Sequence, residues 1–189
     1  CGGTPAACGS RFVYKGVSSC KGASLLSEGG IKNCPYGCDG LGDCVAACPF
    51  DAIHMGPDRL PIVDIEKCTG CNKCVVACPK QVIALEAYVG RAVLHCHTRL
   101  PAKDVRKTCT VGCIACKACV RACPYDALDW DQNLPVFDYA KCKSCGLCID
   151  ACKPGCIVAL QPIDPAAREE GQRLAAERKA AEAAKKAAA

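Results

Sequence analysis

The sequence predicts an α+β chain of two tandem small modules, each made of short hairpins and short helices. A charged, alanine-rich helix follows them at the C-terminal end. Three observations lead there. Cysteine supplies 22 of 189 residues, against three Phe, one Trp and five Tyr, so cohesion must come from more than an apolar core. One dense cysteine spacing recurs along the chain. The stretch from Cys48 to Cys68 also aligns with the stretch from Cys123 to Cys142, which marks an internal repeat.

The cysteines sit two or three residues apart, too close for most neighbouring pairs to bridge as disulfides without strain. Secreted disulfide frameworks space their cysteines so that loops can be stapled. No signal peptide and no apolar run of membrane-spanning length occurs in the sequence. The chain opens at Cys1 without a Met, which reads as a fragment or a processed chain. The cysteines are therefore read as reduced thiolates that hold metal.

Cys68, Cys71, Cys74 and Cys78 spell C-x2-C-x2-C-x3-C followed by Pro79, and Cys113, Cys116, Cys119 and Cys123 repeat it before Pro124. Cys142, Cys145, Cys148 and Cys152 repeat it again, with Lys153 ahead of Pro154. Cys34, Cys38, Cys44 and Cys48 read as a widened variant, C-x3-C-x5-C-x3-C, before Pro49. Three thiolates on a tight loop suit three irons of one 4Fe–4S cluster, and the fourth reaches the other cluster of a pair. The proline turns the chain away and donates no competing N–H. Zinc sites use well-separated C-x2-C pairs and fit this pattern poorly.

The expected ligand sets follow in pairs. Cys34, Cys38, Cys44 and Cys78 hold one cluster; Cys68, Cys71, Cys74 and Cys48 hold its neighbour. Cys113, Cys116, Cys119 and Cys152 hold a third, and Cys142, Cys145, Cys148 and Cys123 a fourth. Each module has a helical turn after Cys-Pro and two strands, Ala52–Met55 with Pro61–Asp64 in the first and Pro135–Asp138 as the second strand of the other. Ile53, Ile62, Ile83, Leu128, Val136 and Ile157 are expected to pack against the clusters. The organisation expected is a lead segment over 1–33, a two-cluster module over 34–88, a connector over 89–112, a second module over 113–162 and a tail over 163–189.

Six cysteines lie outside the motifs: Cys1, Cys8, Cys20, Cys96, Cys109 and Cys156. Cys1 and Cys20 precede the first module as Cys96 and Cys109 precede the second. These four suggest a fifth 4Fe–4S cluster. Cys8 and Cys156 read as bystanders, with Cys8 a substitute for Cys1. His95 and His97, on either side of Cys96, read as surface residues and not as ligands.

The tail from Asp164 has an N-cap, Pro165 at the first helical position and strong helix formers after it. Leu174 is its only large apolar residue, so a solvated helical or disordered tail is expected. The formal charge of +5 counts thiolates as neutral, and each cluster with four thiolates contributes about −2. Nucleic-acid binding is therefore not read from the charge. Lys67, Lys73, Lys80, Lys117, Arg121, Lys141 and Lys143 surround the cysteine loops, placed to steer an acidic electron carrier or to balance cluster charge. No nucleotide-binding fingerprint and no acid–base pair is evident, so no catalytic residue is assigned and electron movement remains.

The stretches "FVYKGVSSCKGA", "KNCPYGCDGLGDCVAACPFDAI", "PIVDIEKCTGCNKCVVACPK" and "CTVGCIACKACVRACPYDAL" resemble the B subunit of the Rnf complex, the ion-translocating ferredoxin:NAD oxidoreductase. The resemblance runs from Cys1 to about Leu160. It implies an electron-transfer subunit at the cytoplasmic face of the cell membrane. Ferredoxin would be its donor or acceptor, and flavin-, nicotinamide- and iron–sulfur-bearing subunits its partners. The family's N-terminal membrane helix and further four-cysteine domain lie outside this sequence. Two other readings are a polyferredoxin of a hydrogenase or heterodisulfide-reductase-like complex and, in another class, a redox-sensing module.

Overall fold

A computed structural model provides the architecture and describes residues 1–86 and 92–187. The expected module boundary at 88/89 and the last two residues of the tail lie outside them. In chain order the elements are α1 (Cys20–Leu26), α2 (Asp43–Ala46), β1 (Ile53–Met55), β2 (Pro61–Val63), α3 (Lys73–Ala77), β3 (Ala92–Leu94) and α4 (Ala102–Thr108). They continue with α5 (Ala118–Ala122), β4 (Leu128–Asp131), β5 (Leu134–Phe137), α6 (Leu147–Asp150), β6 (Ile157–Ala159) and α7 (Pro165–Ala187). The chain divides into two compact units, Cys1–Glu86 with Cys96–Ile114, and Ala87–His95 with Ala115–Ala189.

In the first unit β1 and β2 form an antiparallel ribbon and α2 packs against α3. The second unit repeats this with β4 paired to β5 and α5 against α6. It also carries an antiparallel ribbon of β3 and β6, so residues 92–94 of the expected connector belong structurally to this unit. Helices of four or five residues are far below the length that is stable alone, so these turns depend on their packing partners and on whatever the cysteines bind.

A two-stranded ribbon has only one covered face. Ile53, Leu128 and Ile157 lie on covered faces and are buried. Ile62 and Val136, expected inside, are 47% and 48% exposed. They pair across their ribbons with exposed His54 and Asp129, on the outward side of the two-residue alternation.

The tail is a helix started as the sequence suggests, with the Asp164 carboxylate accepting from the Ala166 amide at 3.0 Å. Most of it is exposed, but it is docked by means other than an apolar stripe. Gly171 is buried, and a Cβ there would lie 2.6 Å from the Cys145 Cβ. Arg168 pairs with Asp150 on α6. The Arg178 guanidinium donates to the Cys123 carbonyl at 3.0 Å and to Asp126 at 2.7 Å. No described helix is long and apolar enough to cross a membrane.

Candidate iron–sulfur sites

Four loops share one backbone. Left-handed residues occur in pairs at Gly40 and Gly42, Gly70 and Asn72, Ala115 and Lys117, and Ser144 and Gly146. The second member of each pair caps a short helix, and the next cysteine, Cys44, Cys74, Cys119 or Cys148, is the second residue of that helix. Each helix ends at or just before the last cysteine of its motif. Three residues later the chain turns left-handed again, at Asp51, Gln81, Asp126 and Gly155. Left-handed residues spaced by one residue of negative φ suit the concave turns whose successive amides favour negative charge.

Amides in the first, second and fourth loops meet sulfur. Gly40 donates to Cys38, Val75 to Cys74 and Leu147 to Cys145. Ala52 donates to Cys48 at 3.4 Å. Amide–sulfur hydrogen bonds of this kind favour thiolates and tune the potential of what they bind. Burial acts the other way on the metal-free thiols. It pushes Cys44 up to about 11 and Cys148 up to about 12, and it raises Cys38, Cys74, Cys96 and Cys145. Metal binding must displace those protons.

None of the 22 cysteines is joined to another in a disulfide. Among the described residues no three His, Cys, Asp or Glu side chains close around a single ion. A 4Fe–4S cluster asks for a wider cage with one thiolate at each corner. The second unit offers one: Cys123, Cys142, Cys145 and Cys148 line a single cavity with apolar walls from Leu128 and Phe137. That donor set fits the group, and it is the set expected from the spacing.

Other expected site residues are distributed unevenly. Cys68 and Cys71 are exposed beside half-buried Cys74. Cys20 lies beside Cys38 and Cys44, after desolvation a further influence raising both. Cys1 and Cys109 both approach Gly3, where a Cβ would be 3.4 and 3.8 Å from their sulfurs. Cys96 accepts the Cys113 amide at 3.2 Å. The two expected bystanders have sulfur neighbours. Cys8 is hydrogen-bonded by the Cys109 thiol and the Cys34 amide, which lowers it to about 6. Cys156 lies 3.4 Å from the Cys152 sulfur.

Among the cations around the loops, half-buried Lys80 is paired with buried Asp39 at 3.1 Å, which draws its charge away from a steering role. Lys117 lies over the Trp130 ring at 5.0 Å. Sequence spacing had no means of revealing either arrangement, since both partners lie elsewhere in the chain.

Residues 33–83 and residues 112–156 each match a 4Fe–4S dicluster domain. The chain is 46% identical over 157 residues to the B subunit of the Na(+)-translocating ferredoxin:NAD(+) oxidoreductase complex of Acetobacterium woodii, covering 83% of this chain and 47% of that protein. It is 41% identical over 152 residues to the B subunit of the ion-translocating oxidoreductase complex of Methanosarcina acetivorans, covering 80% and 57%. It is 43% identical over 162 residues to the B subunit of the proton-translocating ferredoxin:NAD(+) oxidoreductase complex of Clostridium ljungdahlii, covering 85% and 57%. The chain is a homologue of these B subunits, built on two tandem 4Fe–4S dicluster domains. It spans about half the length of the relatives it matches.

Proposed function

We propose that this homologue is a multi-cluster electron-transfer component of an ion-translocating ferredoxin:NAD oxidoreductase. It would exchange electrons with ferredoxin on one side and with flavin- and nicotinamide-bearing subunits on the other, at the cytoplasmic face of the membrane. The observation that carries this reading is the fourfold cysteine loop on one backbone, inside two 4Fe–4S dicluster domains of a chain similar to B subunits of such complexes.

Cys68, Cys71 and Cys74 with Cys48, Cys113, Cys116 and Cys119 with Cys152, and Cys142, Cys145 and Cys148 with Cys123 would each hold one cluster. Cys38, Cys44 and Cys78 would hold a fourth with one more thiolate. Cys1, Cys96 and Cys109 belong to a fifth set. Bound there, 4Fe–4S clusters supply one-electron transfer at low potential. The chain's own residues do the rest. Thiolates fix position, amides stabilise the negative sulfur, and apolar neighbours such as Leu128 limit water.

The experiment is iron and acid-labile sulfide per chain on anaerobically prepared protein, with the EPR spectrum of the reduced state and stopped-flow reduction by ferredoxin. About sixteen irons from the four motifs, rising to about twenty with the fifth set, is the expected result. Zinc in place of iron and sulfide ends the proposal. Reduction by ferredoxin should slow as salt rises if the exposed cations steer the encounter.

A further inference from the structure

We infer that Cys20, and not Cys34, completes the first cluster site with Cys38, Cys44 and Cys78, and that Cys34 joins Cys1, Cys96 and Cys109 in the additional site. This rests on the iron–sulfur reading above and assigns its two unsettled positions.

The first loop begins at Cys38. Cys38 to Cys44 has the same length as Cys68 to Cys74, Cys113 to Cys119 and Cys142 to Cys148. Its left-handed residues Gly40 and Gly42 occupy the same two positions as Gly70 and Asn72. In the other loops the residue between those two positions is Cys71, Cys116 or Cys145; here it is Leu41. The first loop is thus an ordinary loop that lacks its middle thiolate.

Helix α1 supplies the missing sulfur. Asp43, the residue before Cys44, grips the start of that helix. Its carboxylate accepts from the Cys20 amide at 2.8 Å, the Lys21 amide at 3.0 Å and the Ser19 hydroxyl at 3.2 Å. Three bonds to one carboxylate fix Cys20 beside the loop that is one ligand short.

Cys34 is engaged elsewhere. It precedes the loop that starts at Cys38 as Cys109 precedes the loop that starts at Cys113, with Gly37 and Gly112 in matching places. The two turns close with the same bond, Gly37 N–H to the Cys34 carbonyl at 2.9 Å and Gly112 N–H to the Cys109 carbonyl at 3.4 Å. The lead segment draws these turns together. Asn33 donates to the Gly9 carbonyl at 2.8 Å and Thr110 to the Ala7 carbonyl at 2.9 Å. Cys8, between Ala7 and Gly9, is the hydrogen-bonding neighbour of both Cys34 and Cys109. Cys1 takes the Gly3 amide at 3.4 Å and shares Gly3 with Cys109.

A second observation points to negative charge at this place. Lys32 is 5% exposed. Its ammonium donates to the Gly3 carbonyl, and no carboxylate lies within ion-pair distance of it among the described residues. A buried ammonium is costly without a counter-charge. A cluster held by thiolates beside Gly3 and Cys34 supplies that charge.

Cysteine rescue at Leu41 tests the assignment. The full chain is reconstituted anaerobically with iron and sulfide, and iron, labile sulfide and the reduced EPR spectrum are read. The parent should hold about twenty irons. Cys20→Ala should lose one cluster, about four irons and four sulfides, and adding Leu41→Cys should restore them. Cys34→Ala should lose the same amount, and Leu41→Cys should not restore it. The inference is overturned if the rescue works for Cys34→Ala instead, if Cys20→Ala with Leu41→Cys stays depleted, or if either single variant keeps the parent's complement. A parent without iron and sulfide sinks the electron-transfer proposal itself. A parent with clusters and the opposite rescue pattern sinks only this assignment.

Discussion

Two loops of this chain have the same spacing and the same backbone and differ in what lies over them. In the first unit, Cys68 and Cys71 are exposed. In the second, their counterparts are half-buried Cys142 and buried Cys145, and Cys148 is buried where Cys74 is not. One difference is α7, whose Gly171 lies against Cys145 and whose Arg168 holds Asp150; Ala92, Leu128 and Phe137 line the same cysteines. The residue of α3 that corresponds to Asp150 is Val76, 77% exposed. The same cysteine motif therefore stands in two different surroundings, and the chain packed over it sets how far its sulfurs are from water. Solvent exposure and hydrogen bonds to sulfur move cluster potentials, so clusters held by these two loops would differ in potential.

The comparison is most sharply tested by thiol reactivity. In the metal-free chain a soluble alkylating agent should label Cys68 and Cys71 well before Cys145 and Cys148, read residue by residue in a mass spectrum. Equal labelling rates would abolish the distinction between the loops.

Removing the cover comes next in size. Gly171→Val places a branched side chain where a Cβ is already 2.6 Å from the Cys145 Cβ. Overpacking of this kind costs about 1–3 kcal/mol, enough to lift α7. Protease cleavage within α7 and chelator-driven iron loss from the second unit should both accelerate, while labelling of Cys68 stays unchanged. Unchanged protection of Cys145 would show that the helix does not cover it.

Burial also leaves a pH signature. In the folded metal-free chain the Cys148 thiol is raised from 9.0 to about 12 by desolvation. The folded state then holds a proton that the unfolded state releases. Its contribution to stability is complete below pH 9 and is lost as pH rises toward 12. The denaturant midpoint should fall across that window, and a Cys148→Ala chain should show a shallower fall.

The smallest effect is expected at the far end of the cover. The Arg178–Asp126 pair is solvent-exposed, so Arg178→Ala should cost about 1 kcal/mol or less. That difference should shrink at high salt. A larger loss that salt leaves intact would locate the stabilisation in the bond to the Cys123 carbonyl.

Much of the site is legible because its information is local. Ligand spacing, the Cys-Pro turns and the hairpins lie within a few residues of one another, and the cap of α7 is written in Asp164 and Pro165. The first loop was harder. Cys34-x3-Cys38 reads naturally as the beginning of a widened motif, whereas the left-handed pair at Gly40 and Gly42 aligns Cys38 with the first cysteine of the other loops. The pairing of Lys80 with Asp39 and the clustering of Cys8 with Cys34 and Cys109 depend on partners tens of residues away.

The sequence by itself determined two dicluster domains, the thiol chemistry and a helical tail, because those follow from residue type and short-range spacing. Tertiary structure decided which ribbon face of Ile62 and Val136 meets water, that a glycine and two arginines dock α7, and which cysteines outside the motifs stand together. The physical reason is that burial and proximity arise when distant segments meet. An outward-facing isoleucine and an inward-facing one read alike until the sheet has only one side to cover.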